Sequence, residues 1–520
     1  MNEEEKLPKR QLILVGIAVL LTGILLIVKP SHSVFQVNKT INIMDAKVGN
    51  FANNKIVDGD KITIKVGDIN VDYDVNMIPV VFDSIGQTVR ADETNTDSTY
   101  YWFDYCQNKE SSSYNYKSSG CTFRWANIVL VSDTNREIYK NASPGTLVNE
   151  SDILAYFVYV PRYRYQLFNA NNGTTPEQTI NIEFENKTTP PVCGGNTCTT
   201  NRLYSTGTND EWLTHPAFTF GTTELNGIWT GKFDLSADEN SVCGVSPSWA
   251  NCHDTVGISI TPRIKPNRMS WRYIDIVTLY TVSKYFKSNL LYGINNSSID
   301  AHMIKNMEWG AVAYLSQSIY GKRGNQGTPI FPNNYMLLTS GYPYPNLTGC
   351  SATTSGAYQA NICAYPYPHE NGVEASTTGS LYGAYDMVGN LTVWVMGNMV
   401  ASGQVAPGPL NAKSGGFNGT TYPYPESKYY DSYTYGTTTN DATAFARGYL
   451  GDATKEILTC LNTANCGWGG SYSRFVYFVG GNDYIWFYHG ATLGIMGFFG
   501  NQNGNNMYFG ETSHSVLVVE

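Results

Sequence analysis

Apolar and polar letters divide the 520-residue chain into stretches of different texture. Leu12–Val28, LILVGIAVLLTGILLIV, carries no charge and is followed by Lys29 and Pro30. A helix crosses a bilayer with roughly 17–25 apolar residues, so the run predicts a transmembrane anchor over 11–29. Lys6, Lys9 and Arg10 precede it, which makes residues 1–10 a cytoplasmic tail and exports the remainder. A cleaved signal peptide is the competing reading, because Ser31-His32-Ser33 offers small residues at a cleavage position. Next, KITIKVGDINVDYDV (61–75) and MIPVVF (77–82) alternate between Gly-Asp turns and predict a small β module or stalk over 30–124. ILAYFVYVPRYRYQLF (153–168) and TINIEFE (179–185) read as strands of a second domain, 125–520. Residues 270–286 and 307–321 read as helices. In the second, Trp309, Val312, Ala313 and Ser316 share a face and Gly321 is the expected stop. There is no fixed-period repeat, and the YPYP runs at 342–345, 365–368 and 422–425 mark surface turns.

Composition sharpens this picture. Charged residues are only 15 % of the chain while Gly (49) and Tyr (38) abound, a profile that suits a strand- and loop-rich surface protein. The net charge of −9 includes no Lys/Arg stripe, so nucleic acid is not an expected partner. All ten cysteines lie beyond the apolar run, in local couples: Cys106/Cys121, Cys193/Cys198, Cys243/Cys252, Cys350/Cys363 and Cys460/Cys466. An even number in an exported chain predicts disulfides, with nearest-neighbour pairing the economical choice. A zinc site would need a second half, and only Cys193-x₄-Cys198 approaches the spacing. Ten Asn-x-Ser/Thr sequons occur, which matter only in a host that glycosylates asparagine.

The order of short blocks then becomes informative. VYVPRYRYQL (158–167), NGIWTGKFDLS (226–236), Ser270-Trp271, Glu308-Trp309 in MEWGAVAYL, YDMVGNLTVWV (385–395), Gly469-Gly470-Ser471-Tyr472 and SHSVLVVE (513–520) follow one another. In that order they resemble the blocks of formylglycine-generating-enzyme-like domains, also called sulfatase-modifying-factor or C-type-lectin-like. The resemblance covers roughly residues 152–520 and implies an α+β fold with much irregular loop, placed after the β module and the N-terminal transmembrane helix. Read from the residues alone, Trp271, Trp309 and Trp394 are large apolar anchors, and Gly389, Gly469 and Gly470 permit turns that a Cβ forbids.

The family enzyme holds copper with a cysteine pair just after its GGSY-like motif. The matching positions here are Arg474 and Val479, neither a thiolate ligand. In YDMVGNLTVWV the family's Trp and Glu are replaced by Thr392 and Val393. The seven histidines have no H-x₃-H or H-E-x-x-H spacing, and most are expected at the surface or singly hydrogen-bonded. No G-x-S-x-G elbow, P-loop or dinucleotide fingerprint occurs. The expectation is therefore a non-enzymatic protein with no cofactor, and calcium is compatible only as a structural ion.

What remains is a display surface. Residues 472–510 mix Tyr, Phe and Trp with Gly, Asn, Asp and His, the composition of a paratope. The candidate ligand contacts are Tyr472, Arg474, Tyr477, Asn482, Asp483, Tyr484, Trp486, Tyr488 and His489. Ordinary buried strand is the alternative for FVYFV and YIWFY, and exposure of Tyr484, Trp486, Tyr488 and His489 decides between them. The resulting expectation is a membrane-anchored surface protein binding a glycan or a protein. A subunit of a homo-oligomer, filament or coat and a divergent enzyme are the two alternatives.

Overall fold

A computed structural model describes residues 54–106, 122–168, 179–322, 347–351, 365–387, 390–401, 416–435 and 448–456. In the C-terminal stretch it describes 474–475, 478–479, 482–483, 486–489, 498–502 and 511–520. The body they form, within 52–520, is mostly β. Its centre is the strand Ile153–Pro161, whose nine residues are all buried. A continuous run of β-branched and aromatic letters suits a strand covered on both faces. Around it lies a seven-stranded antiparallel sheet in the order 299–303, 515–519, 227–231, 153–161, 127–131, 78–82, 88–90.

The sheet runs across the boundary expected at 124/125, because Ile78–Phe82 pairs directly with Asn127–Val131. The antiparallel strands 54–58, 61–66 and 69–74 form a separate three-stranded sheet that is tied to the same core. Trp229 donates its indole N–H to the Asp72 carbonyl at 2.8 Å and stacks on Trp102 at 6.1 Å. A second, mixed sheet runs 431–435, 392–401, 486–489, 498–502, 474–475, with 511–512 alongside 392–401.

The helices are few and short, which corrects the α+β expectation. In the 270–286 window the helix begins only at Ile276, where the Asp275 carboxylate accepts the Thr278 N–H at 2.9 Å. Tyr273, at φ +58°, takes the chain out of helical geometry just before that cap. The window 307–321 yields Asn306–Ser316, buried on every side rather than on one face. It stops well before Gly321, the expected terminator. A Cβ at Gly321 would lie 2.5 Å from Ser316 Cα, so this glycine serves a close approach of chain to chain.

The expectation of an N-terminal transmembrane helix is corrected with it. Among the described residues no helix is long and apolar enough to cross a membrane. The stretch that carried the expectation, 11–29, lies outside the described residues.

Two expected cysteine couples are disulfides, Cys193–Cys198 and Cys243–Cys252, and Cys106 and Cys350 are disulfide-bonded as well. Cys121, Cys363, Cys460 and Cys466 lie outside the described residues. Disulfides belong to an oxidising compartment of the extracellular kind.

Candidate functional site

The aromatic stretch that reads as a display surface is interior where its side chains are described. Trp486, Phe487, Tyr488 and His489 form a strand between 392–401 and 498–502 and are all buried. Neighbours from distant parts of the chain cover both faces. Phe487 meets Tyr433 at 4.6 Å, Tyr488 meets Trp394 edge-on at 5.6 Å, and Trp486 meets Phe417 at 5.8 Å. His489 lies flat on Trp309, ring centroids 3.7 Å apart, and its Nε2 donates to Asn306 Oδ1 at 2.6 Å. Burial lowers its pKa to about 3, so the imidazole is neutral. Trp486, Tyr488 and His489 are therefore core residues, and their candidate role as ligand contacts is corrected. Arg474, Asn482 and Asp483 lie in short strands with undescribed side chains, and Tyr472, Tyr477 and Tyr484 fall outside the described residues.

The polar letters of the ordered blocks converge elsewhere. Asn390 donates its amide to Asp234 Oδ2 at 2.9 Å and to Ser270 Oγ at 2.7 Å, and Ser270 donates to the same carboxylate oxygen at 3.1 Å. Asp386 accepts the backbone N–H of Gly349 at 3.0 Å and of Asp234 at 3.2 Å. His514 donates from Nδ1 to the Gly231 carbonyl at 2.9 Å, and its Nε2 lies 3.4 Å from Asp234 Oδ1. Asp386 and Asn390 adopt φ +60° and +58°, a conformation that short polar side chains tolerate best. All five side chains are buried. Burial, then the neighbouring Asp386 charge, holds the Asp234 carboxyl well above its usual range, and burial takes His514 down to about 4. The node thus joins residues from 231 to 514, with Asp234 Oδ1 and His514 Nε2 buried and facing each other outside hydrogen-bond geometry.

A second polar centre surrounds the start of the helix Asn306–Ser316. Glu308 accepts the Lys305 N–H at 2.8 Å and receives His302 Nε2 at 3.0 Å. Burial opposes the charge on His302, but the Glu308 and Asp300 carboxylates outweigh it and raise its pKa. Asn306 donates to the Tyr433 hydroxyl at 2.7 Å, which donates to Asp452 Oδ2 at 3.0 Å, while Asp431 Oδ2 accepts the Met307 N–H at 2.7 Å. Burial raises Asp431 to about 6 and Glu456, held by Tyr165 and Tyr314, to about 7.

His215, His302, His489 and His514 are fully buried, which corrects the surface part of the expectation for the histidines, and His302 and His489 belong to this centre. The Glu308-Trp309 pair was the visible signal for it. Its partners Asp431, Asp452 and Glu456 stand more than a hundred positions away and carried no signal of their own. Among the described residues, no group of three or more His, Cys, Asp or Glu is placed to hold a metal ion. No protein-family model matches the chain, and no curated protein matches it.

Proposed function

We propose that the chain is an exported surface protein that binds a glycan or protein ligand and has no catalytic role of the formylglycine-generating type. The observation that carries this reading is a surface ridge, residues 416–430, pinned at both ends. Phe417 is buried against Tyr280 at 5.4 Å, and Tyr429 is buried beside Phe220 at 5.8 Å. Between these pins Asn418 and Tyr422 close a turn, the Tyr422 N–H donating to Asn418 Oδ1 at 2.9 Å and the Asn418 N–H to the Tyr422 carbonyl at 3.0 Å. Tyr422, Tyr424 and Tyr430 are half-exposed along the ridge, with Pro423 and Pro425 interleaved. Rigid tyrosines with adaptable polar neighbours give contact area at low entropic cost. The ligand surface therefore moves from the C-terminal strand to this ridge.

Kinship with formylglycine-generating-enzyme-like domains is part of the same proposal. What supports it is that Asp234, Ser270, Asp386 and Asn390, drawn from three of the ordered blocks, serve one structural node. The deciding experiment displays the full chain to glycan and surface-protein arrays. Selective binding that weakens when Tyr422 and Tyr424 are changed to Ala is the expected result. Failure to bind either array refutes the reading.

A further inference from the structure

Beside the ridge, positive charge is gathered around three aromatic rings. The Lys428 ammonium lies 5.0 Å from the Phe220 ring centre and 4.8 Å from that of Tyr429. Lys284 lies 4.8 Å from the same Tyr429 centre and 5.2 Å from that of Tyr280. Lys305 stands 5.5 Å from Phe220, and His302 stacks on that ring at 4.9 Å. Ring faces attract cations, each contact contributing about 0.5–1 kcal/mol near a surface, but they do not neutralise charge.

The carboxylates present are already engaged. Asp300 receives Lys428 at 3.2 Å and the Tyr429 hydroxyl at 2.8 Å, and lies 3.5 Å from His302. Glu308 serves His302 and Lys305. Glu426, exposed at the rim, is close enough to act electrostatically on Tyr280 and Tyr429. Lys284 has no carboxylate within ion-pair distance among the described residues. Among the described residues, the one hydrogen bond of its ammonium is a long one, 3.4 Å, to the Tyr280 hydroxyl. Asp431 acts on Lys305 as well, which leaves Lys284 as the cation of this cluster without an ion-pair partner among the described residues, in a chain whose net charge is −9. Crowded like charges repel, and an incoming anion relieves that repulsion.

We infer that Lys284 and Lys428, flanking Tyr429, receive a single anionic oxygen group, a carboxylate or a sulfate, carried by a saccharide ligand. This rests on the ligand-binding reading above and names the chemistry that the ridge selects. Both lysines are half-exposed and so reach solvent. Each ammonium lies 4.8 Å from the same ring centre, a local pair of charges rather than the extended row that an acidic peptide would match. Phe220, Tyr280 and Tyr429 are themselves buried, so they orient the lysines and leave stacking against sugar faces to Tyr422, Tyr424 and Tyr430.

The test compares immobilised neutral, carboxylated and sulfated glycans, with an acidic peptide as control, using the full chain and its Lys284→Ala and Lys284→Arg variants. Unchanged melting temperatures show that the variants fold. The expected result is preference for one or both acidic glycan classes, weakened by added salt. Lys284→Ala should reduce it by roughly tenfold or more, and Lys284→Arg should largely keep it. Equal binding to neutral glycans, an unaffected Lys284→Ala variant, or preference for the acidic peptide overturns the inference and leaves the ligand-binding reading standing. Capture of a surface protein without any glycan does the same. Silence on both arrays overturns the two together.

Discussion

Glu456 offers a test of how burial tunes this interior. Its side chain is sealed from solvent, and Oε2 accepts the Tyr165 hydroxyl at 2.6 Å, the Tyr314 hydroxyl at 3.0 Å and the Gly451 N–H at 3.0 Å. Desolvation outweighs these donors and lifts the pKa from 4.5 to about 7, a difference corresponding to about 3 kcal/mol. Because the folded value is the higher one, the native state binds the proton more tightly than the unfolded chain. The stabilisation is then fully present below about pH 4.5 and is lost as pH rises through 7.

Glu456→Gln removes that dependence while its amide oxygen can still accept all three donors. The amide nitrogen would occupy the Oε1 position, where no hydrogen-bond partner waits, at a cost of about 1 kcal/mol. The variant should therefore be about 2 kcal/mol more stable than wild type at pH 8 and about 1 kcal/mol less stable at pH 4.5. Urea unfolding across that range, with disulfides kept oxidised, would show the two stability curves crossing. Asp275 and Asp431, both raised to about 6 by burial, titrate alike in both proteins and cancel in the difference. A difference that does not change with pH refutes the reasoning.

Asn390→Gly relieves the positive φ but strips Asp234 of a buried donor, and should cost about 2–3 kcal/mol by urea unfolding. A variant equal to wild type would reduce the node to a backbone requirement. Lys232→Met should cost at least about 3 kcal/mol. The buried ammonium donates to Asn127 Oδ1, Leu381 O and Gly383 O, and the thioether leaves three acceptors unserved. Replacing Cys243 and Cys252 together by Ser frees a short loop and should lower stability by about 2.5 kcal/mol, read from the unfolding midpoint.

Sequence pattern carried local information well and remote pairing poorly. The run 153–161 reads as a buried strand from its own letters. Trp271, Trp309 and Trp394 read as anchors because a ring that size seldom stands unsupported, and all three are buried. Trp486–His489 misleads because its letters fit a buried strand and a binding surface equally. What decides between them is Tyr433, Trp394, Phe417 and Trp309, contributed from 54 to 180 positions away. The helix windows were overlong for a related reason: their apolar letters continue past the ends, but Asp275 and the turn at Gln317 set the limits through hydrogen bonds. Thr392 and Val393, where the resembled family has Trp and Glu, simply enter a ten-residue strand, and Val393 is buried.

The place of residues 515–519 in the seven-stranded sheet bears on how the chain reaches its shape. They lie between 299–303 and 227–231, so two strands made hundreds of residues earlier have open edges until this segment arrives. Synthesis runs from the N-terminus, and a sheet with an interior strand that comes last cannot close progressively. During synthesis the chain must therefore carry unsatisfied strand edges, and a factor that shields them should raise the yield of folded protein more than any single stabilising substitution.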